Sequence, residues 1–208
     1  MRRNEFEMTD KQELDQFLNE MSFGFLGTSS DDDYPSITPL NFVYCNDSIY
    51  FHGSRVGEKM TNLAARPKVT FNVAKEYAVI PSYFTDPVFA CPATSFFKSV
   101  IIYGQAVIVE DLKEKALVLQ ALMTKLQPEG GHKPITGDDP EYRGRLKGVS
   151  IVRIDAERIV GKFKFGQNKK EEELASVVDG LLNRDGEYDA ETIELMRKYC
   201  PHFKSSDN

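Results

Sequence analysis

The sequence predicts an α+β fold that is mainly β, in which about six antiparallel strands form a closed or partly open barrel with roughly three or four peripheral helices. Short apolar segments separated by turn residues, and helical periodicity elsewhere, support this fold class. The 208 residues are 41% apolar and 28% charged, a composition typical of a globular protein with one hydrophobic core. We expect a single domain over residues 1–208 with a helical extension at about 170–200.

The first element is an amphipathic helix. Asp10 and Glu13 form a capping-box pattern. Four apolar residues follow at helical spacing: Leu14, Phe17, Leu18 and Met21.

Three β-rich segments follow this helix, at residues 24–28, 35–44 and 48–52. The polar run 29–33 and the pair Asn46-Asp47 separate them. Strands this close together indicate an antiparallel meander rather than alternating βαβ units.

A short helix over residues 57–65 interrupts the meander, and the strand 68–74 follows it. The proline-bearing segment 77–94 is expected to be irregular. A curved strand is expected over 96–109, with a bend or bulge at Gly104.

The most regular helical pattern covers residues 111–127, after a second capping box formed by Asp111 and Glu114. Its apolar stripe consists of Leu112, Ala116, Leu119, Met123 and Leu126. The rest of the chain is expected to form a surface loop over 128–145, strands over 147–154 and 159–165, and helices over 170–182 and 190–199, the last one capped by Asp189.

Charge and composition disfavour several classes of protein. A net charge of −6 gives no basic field for nucleic acid. No stretch approaches the roughly 18 apolar residues of a membrane span, and residues 1–20 lack the apolar core of a signal peptide, so we expect a cytoplasmic protein without membrane partners. Three widely spaced cysteines without a CxxC pair argue against a disulfide framework or a structural zinc site, and no metal site is expected.

The most informative cluster is FHGSRVGEK at residues 51–59, in which a strand runs through a glycine-bearing turn into a helix. Hydroxyl, amide and cationic donors lie close together there, and a phosphate monoester needs such donors. The same pattern also suits an ordinary strand-turn-helix junction with a solvated lysine. His52 is either a site residue or an ordinary strand-end histidine, and Arg55 either points to water or adds a second phosphate cation.

The order of the motifs resembles the pyridoxamine 5′-phosphate oxidase-like flavoprotein superfamily and, more narrowly, its 5-nitroimidazole resistance (Nim-type) reductase branch. The matching segments are GFLGT (24–28), PSITPLNFV (35–43), IYFHGS (49–54), GEK (57–59), PKVTF (67–71), SVIIYG (99–104) and GKFKFGQN (161–168). Each segment is short, so the specificity of the resemblance lies in their order and spacing.

The resemblance implies a six-stranded antiparallel split β-barrel that binds flavin mononucleotide (FMN) at the interface of a homodimer. It places Thr38, Pro39, Leu40 and Asn41 along the isoalloxazine ring. It also implies that His52 and Gly53 lie near the ribityl chain, with His52 as the one candidate catalytic residue, and that Ser54 and Lys59 hold the phosphate. Further flavin contacts are implied for Ser99 and, from the second subunit, for Lys164, Gln167 and Asn168. From the residues alone, Lys162 and Lys164 could equally be solvated strand residues.

These observations predict an FMN-dependent oxidoreductase, nitroreductase-like, that takes electrons from NADH or NADPH and passes them to a small-molecule acceptor. The arginine-containing C-terminal motif of the prototype oxidase has no counterpart here, which argues against vitamin B6 oxidation. Two alternatives stay open. A haem-binding or haem-handling protein would need an axial ligand from His52, His132 or His202, and a flavin-binding module without turnover would share the same sequence features.

Overall fold

A computed structural model describes residues 3–31, 34–201 and 203 of the chain. Backbone contacts divide it into two compact units. Unit 1 comprises Met1–Thr9, Ala74–Ser99 and Gly161–Asn208; unit 2 comprises Asp10–Val73 and Val100–Val160. The expectation of a single domain stays a prediction.

The described residues contain eight strands and six helices. The strands are β1 (Glu7–Met8), β2 (Phe23–Ser29), β3 (Pro35–Asn41), β4 (Val43–Cys45), β5 (Ser48–Gly53), β6 (Lys68–Ile80), β7 (Thr94–Val109) and β8 (Ser150–Lys164). The helices are α1 (Lys11–Glu20), α2 (Glu58–Ala65), α3 (Leu112–Leu126), α4 (Pro140–Gly148), α5 (Glu171–Arg184) and α6 (Asp189–Tyr199).

The strands follow the order β3-β2-β6-β7-β8-β5-β4, and β1 pairs with β8 in addition. The pairings of β2 with β3 and β6, of β5 with β4 and β8, and of β1 with β8 are all antiparallel. A mainly antiparallel sheet with helices is therefore confirmed. The sheet has eight strands rather than six, and among the described residues its end strands β3 and β4 do not pair with each other, so the six-stranded barrel stays a prediction.

Helix α1, in unit 2, begins as the capping pattern predicts. The Asp10 carboxylate accepts hydrogen bonds from the backbone N–H of Gln12 at 2.8 Å and of Glu13 at 3.3 Å. These bonds satisfy amides that have no partner within the helix. The helix buries Leu14, Phe17 and Leu18.

Helix α3 forms where it was predicted, and its most buried face is shifted from the predicted stripe, of which Leu119 is half-buried against the core. Its buried residues are Lys115, Ala116, Val118 and Leu122, so only Ala116 of the predicted stripe is among them. Val118 and Leu122 pack in a core cluster with Val43, Tyr50, Val109 and Ile151. The Lys115 ammonium donates to the carbonyl oxygens of Leu146 and Val149 at 3.3 and 3.0 Å, which lets a lysine occupy an interior position.

Three boundaries differ from the sequence prediction. Strand β6 continues beyond Ala74 to Ile80, because buried apolar residues follow and no proline intervenes before Pro81. The two late strands are one continuous strand, β8. The segment expected to be a loop contains α4, whose first amides are capped by Asp139 at 2.9 Å and which buries Leu146.

Gly104 lies in β7 at a close backbone approach. A Cβ built at this position would lie 2.2 Å from the Asp155 carbonyl oxygen. Two atoms cannot approach so closely, so the contact, rather than an unusual φ, requires glycine.

The core of unit 1 is aromatic. Phe163 and Phe165 of the β8 segment and its continuation pack on Tyr199 of α6, with ring centroids 5.7 and 5.5 Å apart. Phe165 also contacts Tyr77 and Phe96. Helices α5 and α6 add buried apolar side chains, namely Leu174, Val177, Leu181, Ile193 and Met196.

A salt bridge ties the end of α5 to the start of α6. The buried Asp189 carboxylate accepts from Arg184 Nε at 2.8 Å and from the Gly186 backbone N–H at 2.8 Å. Arg184 also donates to the Val79 carbonyl at 2.7 Å. Asp189 was predicted to cap α6; it is the first residue of that helix, and its carboxylate serves this link instead.

Candidate functional site

The turn that follows β5 in unit 2 brings together the residues predicted to hold a phosphate. Gly53 ends β5, and α2 begins at Glu58 after the N-cap residue Gly57, whose φ is 116°. That backbone conformation favours glycine. The tight reversal allows Lys59, in the first turn of α2, to fold back over the strand end.

Lys59 and Gly53 meet at this turn. A Cβ built on Gly53 would lie 3.1 Å from Lys59 Nζ, so the glycine leaves room for the ammonium above the backbone. The ammonium lies 5.2 Å from the centroid of the Phe51 ring, and burial lowers the pKa of Lys59. Among the described residues, no carboxylate lies within ion-pair distance of it. A partly desolvated cation in this state is suited to an incoming anion.

Ser54 and Arg55 have different roles in the turn. Ser54 Oγ accepts a hydrogen bond from the Val56 backbone N–H at 3.2 Å, and its own hydroxyl hydrogen is left to donate outward. The Arg55 guanidinium donates to the Lys147 carbonyl at 2.9 Å, near the end of α4. Arg55 is therefore used to cap a helix, an arrangement that the sequence analysis did not consider.

His52 is exposed, on the face of β5 opposite the buried Phe51. No hydrogen bond or ion pair within the described ranges joins its imidazole to another side chain. It is accessible to a ligand but has no neighbouring group to fix its orientation, so its catalytic role stays a prediction.

The predicted ring contacts lie on β3, an end strand of the sheet. One side of β3 pairs with β2, with Thr38 opposite Leu26 and Leu40 opposite Gly24. Its other side pairs with no strand of the described chain, which leaves backbone donors and acceptors available to a ligand's polar edge. Thr38 and Asn41 are half-buried, Pro39 is exposed and Leu40 is buried; the Asn41 amide donates to the Ser22 carbonyl at 3.0 Å.

A second feature, in unit 1, is a cavity of about 570 Å³ that we call the cationic cavity. Four cationic side chains line it, against a single carboxylate, that of Glu173. The cations are Arg3, Lys162, Lys164 and Lys169. Ligand sites are commonly about 300–1,000 Å³ in volume, so the cavity is large enough for an organic molecule.

Lys164 is the cation of this cavity whose charged form is most disfavoured by its surroundings. Burial lowers its pKa, and repulsion from Lys162, Arg3 and Lys169 lowers it further. Its ammonium donates to the Thr94 hydroxyl, a neutral partner. The Glu173 carboxylate lies 3.5 Å from Lys169 instead. Arg3 lies 3.9 Å from the Glu5 carboxylate. Within the described residues, Lys162 and Lys164 are therefore the two cations of this cavity without a carboxylate at ion-pair distance.

The remaining predicted contacts in unit 1 differ from one another. Asn168 is exposed and lines the cationic cavity. Gln167 is used internally: its amide donates to the Phe163 carbonyl at 2.7 Å and accepts from the Phe165 N–H at 2.8 Å, which shapes the turn after β8. Ser99 is half-buried in β7 and does not line this cavity.

Sequence reasoning missed most of the cationic cavity. Lys162 and Lys164 are separated by one residue on a strand, and this spacing places both on one face. That spacing was visible in the sequence, but nothing in it indicated that Arg3 and Lys169 would join them. Both lysines are half-buried in the structure rather than fully solvated.

The described part of the chain contains no group of three or more His, Cys, Asp or Glu residues suited to a metal ion. None of its helices is both long and apolar enough to cross a bilayer. Of the three histidines, His52 is exposed, His132 Nδ1 lies 3.1 Å from the Lys133 carbonyl oxygen, and His202 lies outside the described residues.

Solved structures with the same fold share low sequence identity with this chain. A candidate 5-nitroimidazole antibiotic resistance protein from Bacteroides thetaiotaomicron superimposes with a TM-score of 0.61 at 19% identity, covering 75% of this chain and 85% of that one. The flavocytochrome Anf3 from Azotobacter vinelandii gives 0.63 at 17% identity, covering 76% and 69%. An FAD and haem binding protein from Mycobacterium smegmatis gives 0.61 at 17% identity, covering 76% and 73%.

No curated protein sequence matches the chain. A family model does: the one described as pyridoxamine 5′-phosphate oxidase matches residues 10–163, a span that contains β2 to β7, α1 to α4 and most of β8. It includes the turn with Gly53 and Lys59 and the whole of β3. This chain therefore belongs to the pyridoxamine 5′-phosphate oxidase family.

Proposed function

We propose that the protein is an FMN-dependent oxidoreductase, nitroreductase-like in its reaction, that works as a homodimer. The observation that carries the proposal is the partly desolvated Lys59 ammonium above Gly53, which needs an anion, in a chain of this family. When bound, FMN supplies electron transfer between a reduced nicotinamide and a small acceptor.

The turn fits the phosphate end of FMN. The Lys59 ammonium would offset the phosphate charge, and the outward hydroxyl of Ser54 would donate to a phosphate oxygen. Gly53 has no side chain of its own, so a ligand that pairs with Lys59 can approach the backbone closely there. The dipole of α2 adds a small favourable term at its N-terminus.

The edge of β3 fits the polar edge of the isoalloxazine ring. Backbone N–H groups on the unpaired side of Thr38 to Asn41 would donate to ring oxygens and nitrogens, and the exposed Pro39 would contact the ring plane. These residues bind and orient the ring. His52 is the one candidate proton donor among the proposed contacts, because it is exposed at the same strand end as Gly53.

One structural relative is named as an FAD and haem binding protein and another as a flavocytochrome, so haem and FAD are the cofactors to test against FMN. A haem site would need an axial histidine, and His52 is the most exposed histidine in the described chain. The turn around Lys59 favours a phosphate-bearing cofactor instead.

The test is an absorbance spectrum of the purified protein, followed by titration with FMN, FAD and haem. We expect FMN to bind with about one molecule per subunit, and Lys59→Gln to weaken it about 10- to 100-fold, as loss of a hydrogen bond to a charged group predicts. Lys113→Gln, at an exposed position on α3, is the matched control and should change the affinity little.

Two results would contradict the proposal. One is a protein that binds no flavin under any condition tested. The other is a Lys59→Gln variant that binds FMN as tightly as the wild type. A Soret band on haem addition that is lost in His52→Ala would favour the haem alternative, and flavin binding without nicotinamide turnover would identify a non-catalytic module.

A further inference from the structure

The cationic cavity of unit 1 has a charge excess that its own residues do not neutralise. Arg3, Lys162, Lys164 and Lys169 face it. Arg3 lies 3.9 Å from the Glu5 carboxylate and Lys169 lies 3.5 Å from that of Glu173, whereas Lys162 and Lys164 have no carboxylate within ion-pair distance among the described residues. Cations crowded around one cavity repel one another. This repulsion lowers the stability of the folded chain unless an anion binds in the cavity. A ligand with several negative charges therefore matches the cavity better than a neutral one.

The same cavity offers aromatic surface. Lys162 Nζ lies 5.3 Å from the centroid of the Phe97 ring, and both Lys162 and Lys164 lie 5.9 Å from that of Phe6. Phe6 is buried and Phe97 is half-buried, so Phe97 is the ring that offers aromatic surface beside Lys162, where a charged group and a flat ring can bind side by side. A nucleotide combines these two features.

The volume of about 570 Å³ is sufficient for an adenine nucleotide rather than for a single inorganic anion. One phosphate monoester carries close to two negative charges near neutral pH. A nucleotide with a phosphate monoester on its ribose in addition to its diphosphate would bring several negative charges to Lys162 and Lys164, the two cations that have no carboxylate partner among the described residues.

We infer that the cationic cavity binds the phosphorylated adenosine end of the electron donor, and that the protein therefore uses NADPH in preference to NADH. The assignment of this nucleotide as an electron donor rests on the proposed function, whereas its binding does not. Lys164 and Asn168, which the family resemblance assigns to flavin, would then contact the donor instead.

The experiment titrates the protein, with and without saturating FMN, with two probes, adenosine 2′,5′-bisphosphate and adenosine 5′-monophosphate, by calorimetry. We expect the bisphosphate to bind at least about 10-fold more tightly, since it adds a charge-assisted set of hydrogen bonds. Lys162→Gln and Lys164→Gln should each weaken the bisphosphate about 10-fold, and Lys162→Gln should leave FMN binding unchanged. Lys170→Gln, an exposed lysine of the same unit outside the cavity, is the control.

Two variants are needed because Lys164 also donates to Thr94, so its replacement alone could disturb the fold locally. The inference is overturned if the two probes bind equally, if neither lysine variant changes the affinity, or if saturation with FMN blocks the bisphosphate. The last result would assign the cavity to the flavin. Because probe binding is measured without turnover, its failure is distinguishable from a failure to bind or reduce FMN.

Discussion

Two partly buried lysines of this chain differ in whether a backbone carbonyl accepts a hydrogen bond from the ammonium group. Lys125 of α3 donates to the Leu18 carbonyl at 3.2 Å and lies 4.6 Å from the Phe42 ring centroid, so it closes a structural contact with the end of α1. Lys59 meets only an aromatic face among the described residues. A buried cation with a backbone acceptor is explained by folding, whereas one without an anionic or carbonyl partner indicates a ligand.

Lys125 provides a test of burial that does not depend on any ligand. Burial lowers its pKa from 10.5 to about 8. Between these values the unfolded chain holds the proton and the folded chain releases it, so the free energy of unfolding should rise as pH increases from about 8 to about 10.5. Lys125→Met, similar in length but uncharged, should lack this contribution.

The measurement is chemical denaturation of the wild type and of Lys125→Met across that pH range. The difference in unfolding free energy between the two proteins should shift in favour of the wild type as pH rises. Other groups, including Tyr50, whose pKa is raised to about 12 by burial and by Glu114, are common to both proteins and cancel. A difference that stays constant with pH would show that the Lys125 ammonium is well solvated.

Among the helices, capping residues predicted where a helix begins more accurately than apolar periodicity predicted which side chains it buries. Asp10 and Asp111 marked the starts of α1 and α3, because a carboxylate that accepts from the first amides acts locally. The periodicity of α3 did not indicate that Lys115 would be buried, because its ammonium is held by carbonyl oxygens more than thirty residues away. Such long-range partners have no local sequence signal.

The link between α5 and α6 yields a prediction about the stability of unit 1. The Asp189 carboxylate is buried and its two oxygens accept from Arg184 and from the Gly186 N–H. Asp189→Ala leaves both donors without that acceptor and should lower the free energy of unfolding by about 1–3 kcal/mol. Asp179→Ala, at an exposed position on α5, should change it by less than about 0.5 kcal/mol.

The dependence of unfolding free energy on pH in acid provides a second test of the ion pair between Asp189 and Arg184. Pairing with Arg184 lowers the pKa of the Asp189 carboxyl below its ordinary value of 3.8. The link therefore stabilises the fold fully above about pH 4 and loses its contribution as pH falls through the lowered value. The wild type and Asp189→Ala should converge in stability in acid; a gap that persists there would mean that packing, rather than the ion pair, makes the difference.

For the whole molecule, local motifs were sufficient to predict the fold class, whereas the order of the strands in the sheet could be determined only from the structure. The antiparallel meander was predicted from turn residues that lie a few positions apart. The order β3-β2-β6-β7-β8-β5-β4 brings together strands that are distant in the chain, such as β2 and β6, and no local pattern encodes such pairings. The cationic cavity was missed for the same reason, since its cations come from both ends of the chain.

Apolar side chains on β2 and β3 favour the proposed homodimer. Phe23, Phe25 and Ile37 are 46%, 42% and 61% exposed, and the register of the two strands places them on one face, with Phe25 opposite Pro39 and Gly27 opposite Ile37. The Phe23 and Phe25 rings contact each other edge to face, with centroids 5.8 Å apart. An exposed apolar patch on the end strand β3 and its neighbour β2 is the kind of surface that an oligomer buries.

A second copy of the chain on this face would remove the patch from water, because a two-fold interface buries the same surface on both partners. We therefore expect sedimentation velocity to give the mass of two chains, and Phe25→Asp to shift the protein toward one chain while its circular dichroism is retained. Leu117→Asp, at a 72% exposed position on α3, should leave the assembly intact. A wild type that sediments as a single chain at every concentration would contradict the homodimer, and a Phe25→Asp variant that still dimerises would place the interface on another face, since a buried aspartate without a partner opposes association there.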